Sequence, residues 1–195
     1  MKKTMFASLL ALVALAAGAQ AATYTIDASH SSVSFKVKHM MVSNVRGAFT
    51  EFEGSLEFDP EATEKTTINA TIQMTSVDTN DEKRDEHLRS ADFFDVASHP
   101  VMTFESTKIV HESGNEYTLH GNLTLRGVTK AVELEAEYAG MVLAPWGNTR
   151  IGFEAEGEIN RKDFGVTWSK TMDGGGLVVG DDVEIELEIE AVLDK

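Results

Sequence analysis

Four side chains able to do chemistry fall within six residues, Arg84, Asp85, His87 and Arg89, the densest such grouping in the chain. An aspartate beside a histidine can trade protons with a substrate, and flanking arginines can hold an anion. If the segment is helical, Asp85 and Arg89 instead stand at i, i+4, where they pair on the helix surface. Docking of a helix through ion pairs is the default expectation, and contact with a ligand head group is the sharper one.

Other routes to chemistry close quickly. With no cysteine and no Gly-x-Ser-x-Gly turn, thiolate chemistry and the strained serine elbow are both absent. The histidines, His30, His39, His87, His99, His111 and His120, never adopt a His-x-His or His-Glu-x-x-His spacing, so no metal site is expected. Asp78 to Glu82 resembles the start of a calcium loop, but Lys83 stands where glycine is needed and Arg89 where glutamate is needed. Gly174 to Gly176 lacks the following Lys and Ser or Thr of a phosphate loop and reads as a turn. No catalytic residue, cofactor or metal is assigned.

The elements that must position any site are β-strands. From Val183 to Leu193, Val183, Ile185, Leu187, Ile189 and Ala191 point one way while four glutamates point the other, and period two means a half-buried strand. The rhythm returns in Val132 to Tyr138 and Ile151 to Ile159. Further strands are predicted over 24–27, 32–38, 44–58, 67–74, 101–109, 116–125, 129–141 and 148–160, with a change of phase at Thr50 and Glu51 that predicts a bulge. A helix is predicted over 78–90, opened by a Thr79 and Glu82 capping box, with a turn at Ser90 that carries Phe93 and Phe94 into the core. The segment 161–180 reads as a long rim loop holding Phe164 and Trp168. Eight or nine strands with one helical insertion predict an all-β antiparallel barrel, a two-sheet sandwich being the alternative.

Residues 1–21 read as a cleavable signal peptide. Lys2 and Lys3 form the basic region, Met5 to Ala17 the apolar core, and Ala19-Gln20-Ala21 the cleavage site. Export to the periplasm is expected, leaving 174 residues as one domain, 22–195. Cleavage takes the formal charge from −15 to −17, which disfavours nucleic acid as a partner. No later segment is apolar enough to embed in a membrane.

Several blocks together carry a resemblance. They are Tyr24-Thr-Ile-Asp-Ala-Ser-His30-Ser-Ser-Val33, Ser43-Asn-Val-Arg46-Gly47, Arg84-Asp85-Glu-His87-Leu88-Arg-Ser90-Ala-Asp92-Phe93-Phe94-Asp95, Gly121-Asn-Leu-Thr-Leu-Arg-Gly127-Val-Thr129 and Asp163-Phe164-Gly165. In this order and across the mature chain, they resemble the YceI-like family. The resemblance implies a lipocalin-like barrel in the periplasm whose apolar tunnel takes a long amphiphile, a polyisoprenoid or isoprenoid quinone-like lipid, and in some members a homodimer. It brings no catalytic residue set.

The inward positions Gly54, Ala70, Gly121, Ala136 and Gly157 are small and are expected to leave space along the axis. Each buried methylene of a lipid tail would contribute about 0.8 kcal/mol. The expected tail-binding residues are Phe35, Val37, Phe49, Phe52, Ile72, Met74, Phe104, Leu119 and Phe153, with Phe164 and Trp168 near a rim. Arg46, Arg84, His87 and Arg161 are the candidate head-group contacts. Two rivals stand beside this lipid carrier: a lipid-modifying enzyme using Asp85 and His87, and a solid-cored, stress-related interaction protein.

Overall fold

Alternating apolar and acidic residues produce long strands with one wet face, and the fold follows from how those strands close. The structure, a computed structural model, describes residues 21–173 and 175–195; of the signal peptide, residues 1–20 therefore lie outside it. Among the described residues the strands are β1 (Ala22–Ile26), β2 (Ser32–His39), β3 (Ser43–Phe49), β4 (Phe52–Phe58), β5 (Thr67–Gln73), β6 (Val77–Asp78), β7 (Val101–Ser113), β8 (Glu116–Leu125), β9 (Val128–Leu143), β10 (Thr149–Asn160) and β11 (Val179–Leu193). One helix, α1 (Glu82–Arg89), lies between β6 and β7.

Six of these strands are halves of three bent ones. A short 3-10 turn at Ala28–His30 separates β1 from β2, yet both pair with β11, at its C-terminal and N-terminal parts respectively. Residues 50 and 51 break β3 from β4, where the change of phase predicted a bulge, and Met74–Ser76 breaks β5 from β6. The result is a closed antiparallel barrel of eight courses in up-and-down order, sealed where β1 and β2 meet β11. Closure leaves the sheet without a long free edge and commits the apolar face of every course to one interior.

The barrel has two unlike ends. At the helix end lie the β2–β3 turn, α1 with the segment that follows it, and the β10–β11 connection. Phe49, Met74, Val77, Phe93, Phe164 and Val166 are buried there. The terminal end carries both described chain termini and the β4–β5, β7–β8 and β9–β10 turns. Its core is Tyr24, Leu56, Phe58, Ile151 and Ala191.

The helix differs from its prediction in its cap. Asp81, not Thr79, is the N-cap, its carboxylate accepting from the Arg84 N–H at 3.0 Å, because the left-handed Asn80 turns the chain before the first helical turn. Thr79 is buried and donates to Asp85 from its hydroxyl at 2.6 Å and its N–H at 2.9 Å. The expected Asp85 and Arg89 pair does not form, since Asp85 is turned inward. Arg89 donates instead to the Thr75 and Val77 carbonyls, each at 2.9 Å. The helix is thus held to the barrel by hydrogen bonds to β6 and to the turn before it.

Candidate ligand-binding cavity

Between the two cores the barrel is hollow. A cavity of about 260 Å³ is lined by residues from all eight courses, nearly all of them apolar. Val183, Ile185, Leu187 and Ile189 show why the interior is not a filled core: they point inward, yet they remain only half-buried because the cavity leaves part of their surface uncovered.

Of the residues expected to meet a lipid tail, Phe35, Val37, Phe49, Phe52, Ile72, Met74, Phe104, Leu119 and Phe153 all line this cavity. Phe164 and Trp168 do not. Phe164 is buried in the helix-end core behind the wall, and the half-buried Trp168 packs with ring centroids 5.2 Å from Phe93 and 5.1 Å from His87. Sequence reasoning placed Phe93 and Phe94 in the core without assigning them to the site, yet both line the cavity as the plug of its helix end, together with Leu88. It also missed Thr63, Thr66, Tyr117 and Tyr138 at the terminal end. The threonines lie in and after a short turn with no periodic pattern to mark them.

The expectation about glycine needs correcting. A Cβ on Gly157 would come within 2.5 Å of Leu134, and one on Gly121 would collide with the Phe104 ring. These glycines make room for large cross-strand neighbours, which fill the space that the missing side chains leave. The alanines do open the interior. Ala136 and Ala155 face each other across β9 and β10, and both line the cavity with Ala70.

The four expected head-group contacts lie toward the helix end, and each is engaged by the protein. Arg46 projects from the outer wall and pairs with Glu186 at 3.0 Å. Arg84 donates to the Thr79 hydroxyl and carbonyl, both at 2.7 Å. His87 meets Asp92 at 2.9 Å outside the cavity. Arg161 alone lines the cavity, where it is 5% exposed. Its guanidinium donates to the carbonyls of Gly180, Val166 and Trp168 at 2.7, 2.7 and 2.8 Å and to Asp181 at 3.2 Å. Burial lowers the pKa of Arg161 from its ordinary value, and Asp181 opposes the shift.

The polar lining residues toward the other end are Thr63, Thr66, Tyr117 and Tyr138, with Glu137 and Glu154. The Thr63 hydroxyl donates to the Tyr117 hydroxyl at 3.3 Å, and both residues line the cavity. Burial raises the pKa of Tyr24 and Tyr138 above the ordinary phenol value. Asp85 and His87 are absent from the lining. Asp27, His30 and Glu190 bring ligand atoms close together on the outer wall, but Arg150 reaches both carboxylates, so a cation already sits among them.

The sequence profile of the YceI-like domain matches residues 24–191, nearly the whole described barrel. The chain belongs to the YceI-like family. Protein YceI of Salmonella newport is 43% identical over 198 residues, spanning all of both chains. Among solved structures, Burkholderia cenocepacia BcnA is similar at a TM-score of 0.75 and 27% identity, covering 85% of this chain and 98% of that one. A polyisoprenoid binding domain from Saccharophagus degradans, implicated in plant cell wall breakdown, shares the fold at a TM-score of 0.65 and 15% identity, covering 90% and 100%.

In this YceI-like barrel the blocks that carry the family resemblance largely secure the helix end. Arg84 and Asp85 fix Thr79, and Asp163-Phe164-Gly165 ends a 3-10 turn on a left-handed glycine. Gly127, also left-handed, lies under the His99 ring.

Proposed function

We propose that the protein is a periplasmic binding and carrier protein for a long-chain amphiphilic lipid, of polyisoprenoid or isoprenoid quinone-like type, whose tail occupies the barrel cavity. The observation that carries this reading is an apolar cavity, walled by every course, whose one cationic lining residue among the described residues, Arg161, has its guanidinium engaged by the protein. Such a site rewards the transfer of methylenes from water and offers little to a charged group. The solved domain named for polyisoprenoid binding supports the fold, and the apolar lining supports a ligand with a long apolar tail. Export rests on residues 1–21, with their basic start, apolar core and small-residue cleavage site.

A binding role is favoured over catalysis because Asp85, the proposed acid or base, accepts from Thr79 and does not line the cavity. The test is a titration with a fluorescent polyprenol analogue, comparing the mature chain with Ala155→Trp. An indole at this lining position fills the space beside Ala136, so the variant should bind at least tenfold more weakly while unfolding at the same denaturant concentration. Wild-type protein that takes up no probe would count against the proposal.

A further inference from the structure

We infer that the β9–β10 hairpin is a docking element that seats the terminal end of the barrel on a lipid bilayer. Strand β9 leaves its partner β8 at Glu137 and runs on to Leu143, so the hairpin stands beyond the neighbouring β7–β8 turn. At its tip Met141, Val142, Leu143 and Trp146 are 44, 59, 69 and 70% exposed. No charged residue occurs from Ala139 to Thr149, in a chain with 32 aspartates and glutamates. This uncharged apolar tip, like the Met40–Val42 turn at the opposite end, lacks the carboxylates that headgroup phosphates repel, and it alone of the two carries a tryptophan.

The tip is preformed. The Ala144 N–H donates to the Asn148 carbonyl and the Gly147 N–H to the Ala144 carbonyl, both at 2.8 Å. The Arg150 guanidinium lies 5.5 Å from the Trp146 ring centroid and is itself held by Asp27 and Glu190. Tryptophan presented beside aliphatic side chains suits the boundary between headgroups and acyl chains. A second copy of the chain fits less well, because four side chains expose a few hundred Å², short of the roughly 800 Å² per partner that a stable dimer buries.

The hairpin also connects to the cavity. A register shift between Gly152 and Phe153, opposite the positive-φ Gly140, bends it just above Tyr138 and Phe153, which line the cavity. A water-insoluble ligand must come from a bilayer, so the inference takes its purpose from the lipid-binding reading, although its test does not depend on that reading.

Co-sedimentation of the mature chain with phosphatidylcholine vesicles provides the test. Val142→Ser, Leu143→Ser and Trp146→Ser combined should reduce partitioning at least tenfold, whereas Met40→Ser, Met41→Ser and Val42→Ser at the opposite end should leave it unchanged. Anionic phosphatidylglycerol in the vesicles should weaken binding at low salt, and added salt should restore it. Equal binding by the hairpin variant, dependence on the Met40–Val42 turn, or a hairpin that only self-associates in sedimentation velocity would each overturn the inference. Uptake of the polyprenol probe from solution should survive in the hairpin variant. Wild-type protein that docks on vesicles but takes up no probe would refute the lipid cavity and leave the docking element standing.

Discussion

Both ends of the barrel are plugged by aromatic rings, but the helix end adds a second chemistry. At the helix end, arginines donate to backbone carbonyls: the buried Arg161 to Gly180, Val166 and Trp168, and the half-buried Arg126 to Phe93 at 2.7 Å and Gly165 at 3.2 Å. At the terminal end, closure is aromatic, with Phe58 packed 6.0 Å from Tyr24, 5.3 Å from Tyr138 and 5.6 Å from Phe153. Directional bonds to the main chain specify one arrangement, whereas edge-on and tilted rings can turn without breaking such bonds. The helix end is therefore built as a fixed stopper and the terminal end as a set of side chains able to part.

Arg161→Ala should show the largest effect, because it strands three carbonyls and leaves Asp181 with Lys162 as its remaining cation. A loss of about 4 kcal/mol in denaturant unfolding is expected. Phe58→Ala should follow at about 3 kcal/mol, the usual cost of deleting a buried aromatic ring, and should also speed probe association. A loss from Phe58→Ala greater than that from Arg161→Ala, without faster association, would break the comparison.

Acid should act on a third contact, on the outer wall near the terminal end. The Ser29 hydroxyl foremost, with His30 and Arg150, holds the Asp27 carboxyl well below its ordinary value of 3.8, against the opposing effect of burial. A depressed pKa stabilises the fold above the unfolded value, and that contribution is lost as pH falls through the folded one. Asp27→Asn should thus be less stable than wild type at pH 7, and the gap should close as pH drops below about 4. Parallel stability curves from pH 7 to pH 2 would remove Asp27 from the account.

The smallest effect expected is a gain. Glu156 faces Glu135 on β9 and Glu186 on β11, and like charges directly opposite oppose pairing. Glu156→Gln should add about 0.5 kcal/mol at low salt and nothing at high salt, as thermal melts would show.

How much of this was legible in the sequence depended on range. The period-two strands, the break at Thr50 and Glu51 and nine cavity-lining residues follow from local alternation, since side-chain direction is set one residue at a time. The partners of Arg161 did not follow, because Gly180 and Asp181 lie across a long connection with no pattern. Gly121 misled for the same reason: its emptiness is filled by Phe104 from the neighbouring strand. The Thr79 and Glu82 spacing suggested a capping box, while Asp81, one residue before the helix, supplies the cap.

In the proposed function the hollow between the two ends holds a lipid tail. Mass spectrometry of organic extracts from protein purified out of its own host tests it most directly. A lipid with an isoprenoid fragmentation pattern, recovered at near one per chain and depleted in Ala155→Trp, is the predicted result. Folded protein that is consistently empty would contradict it.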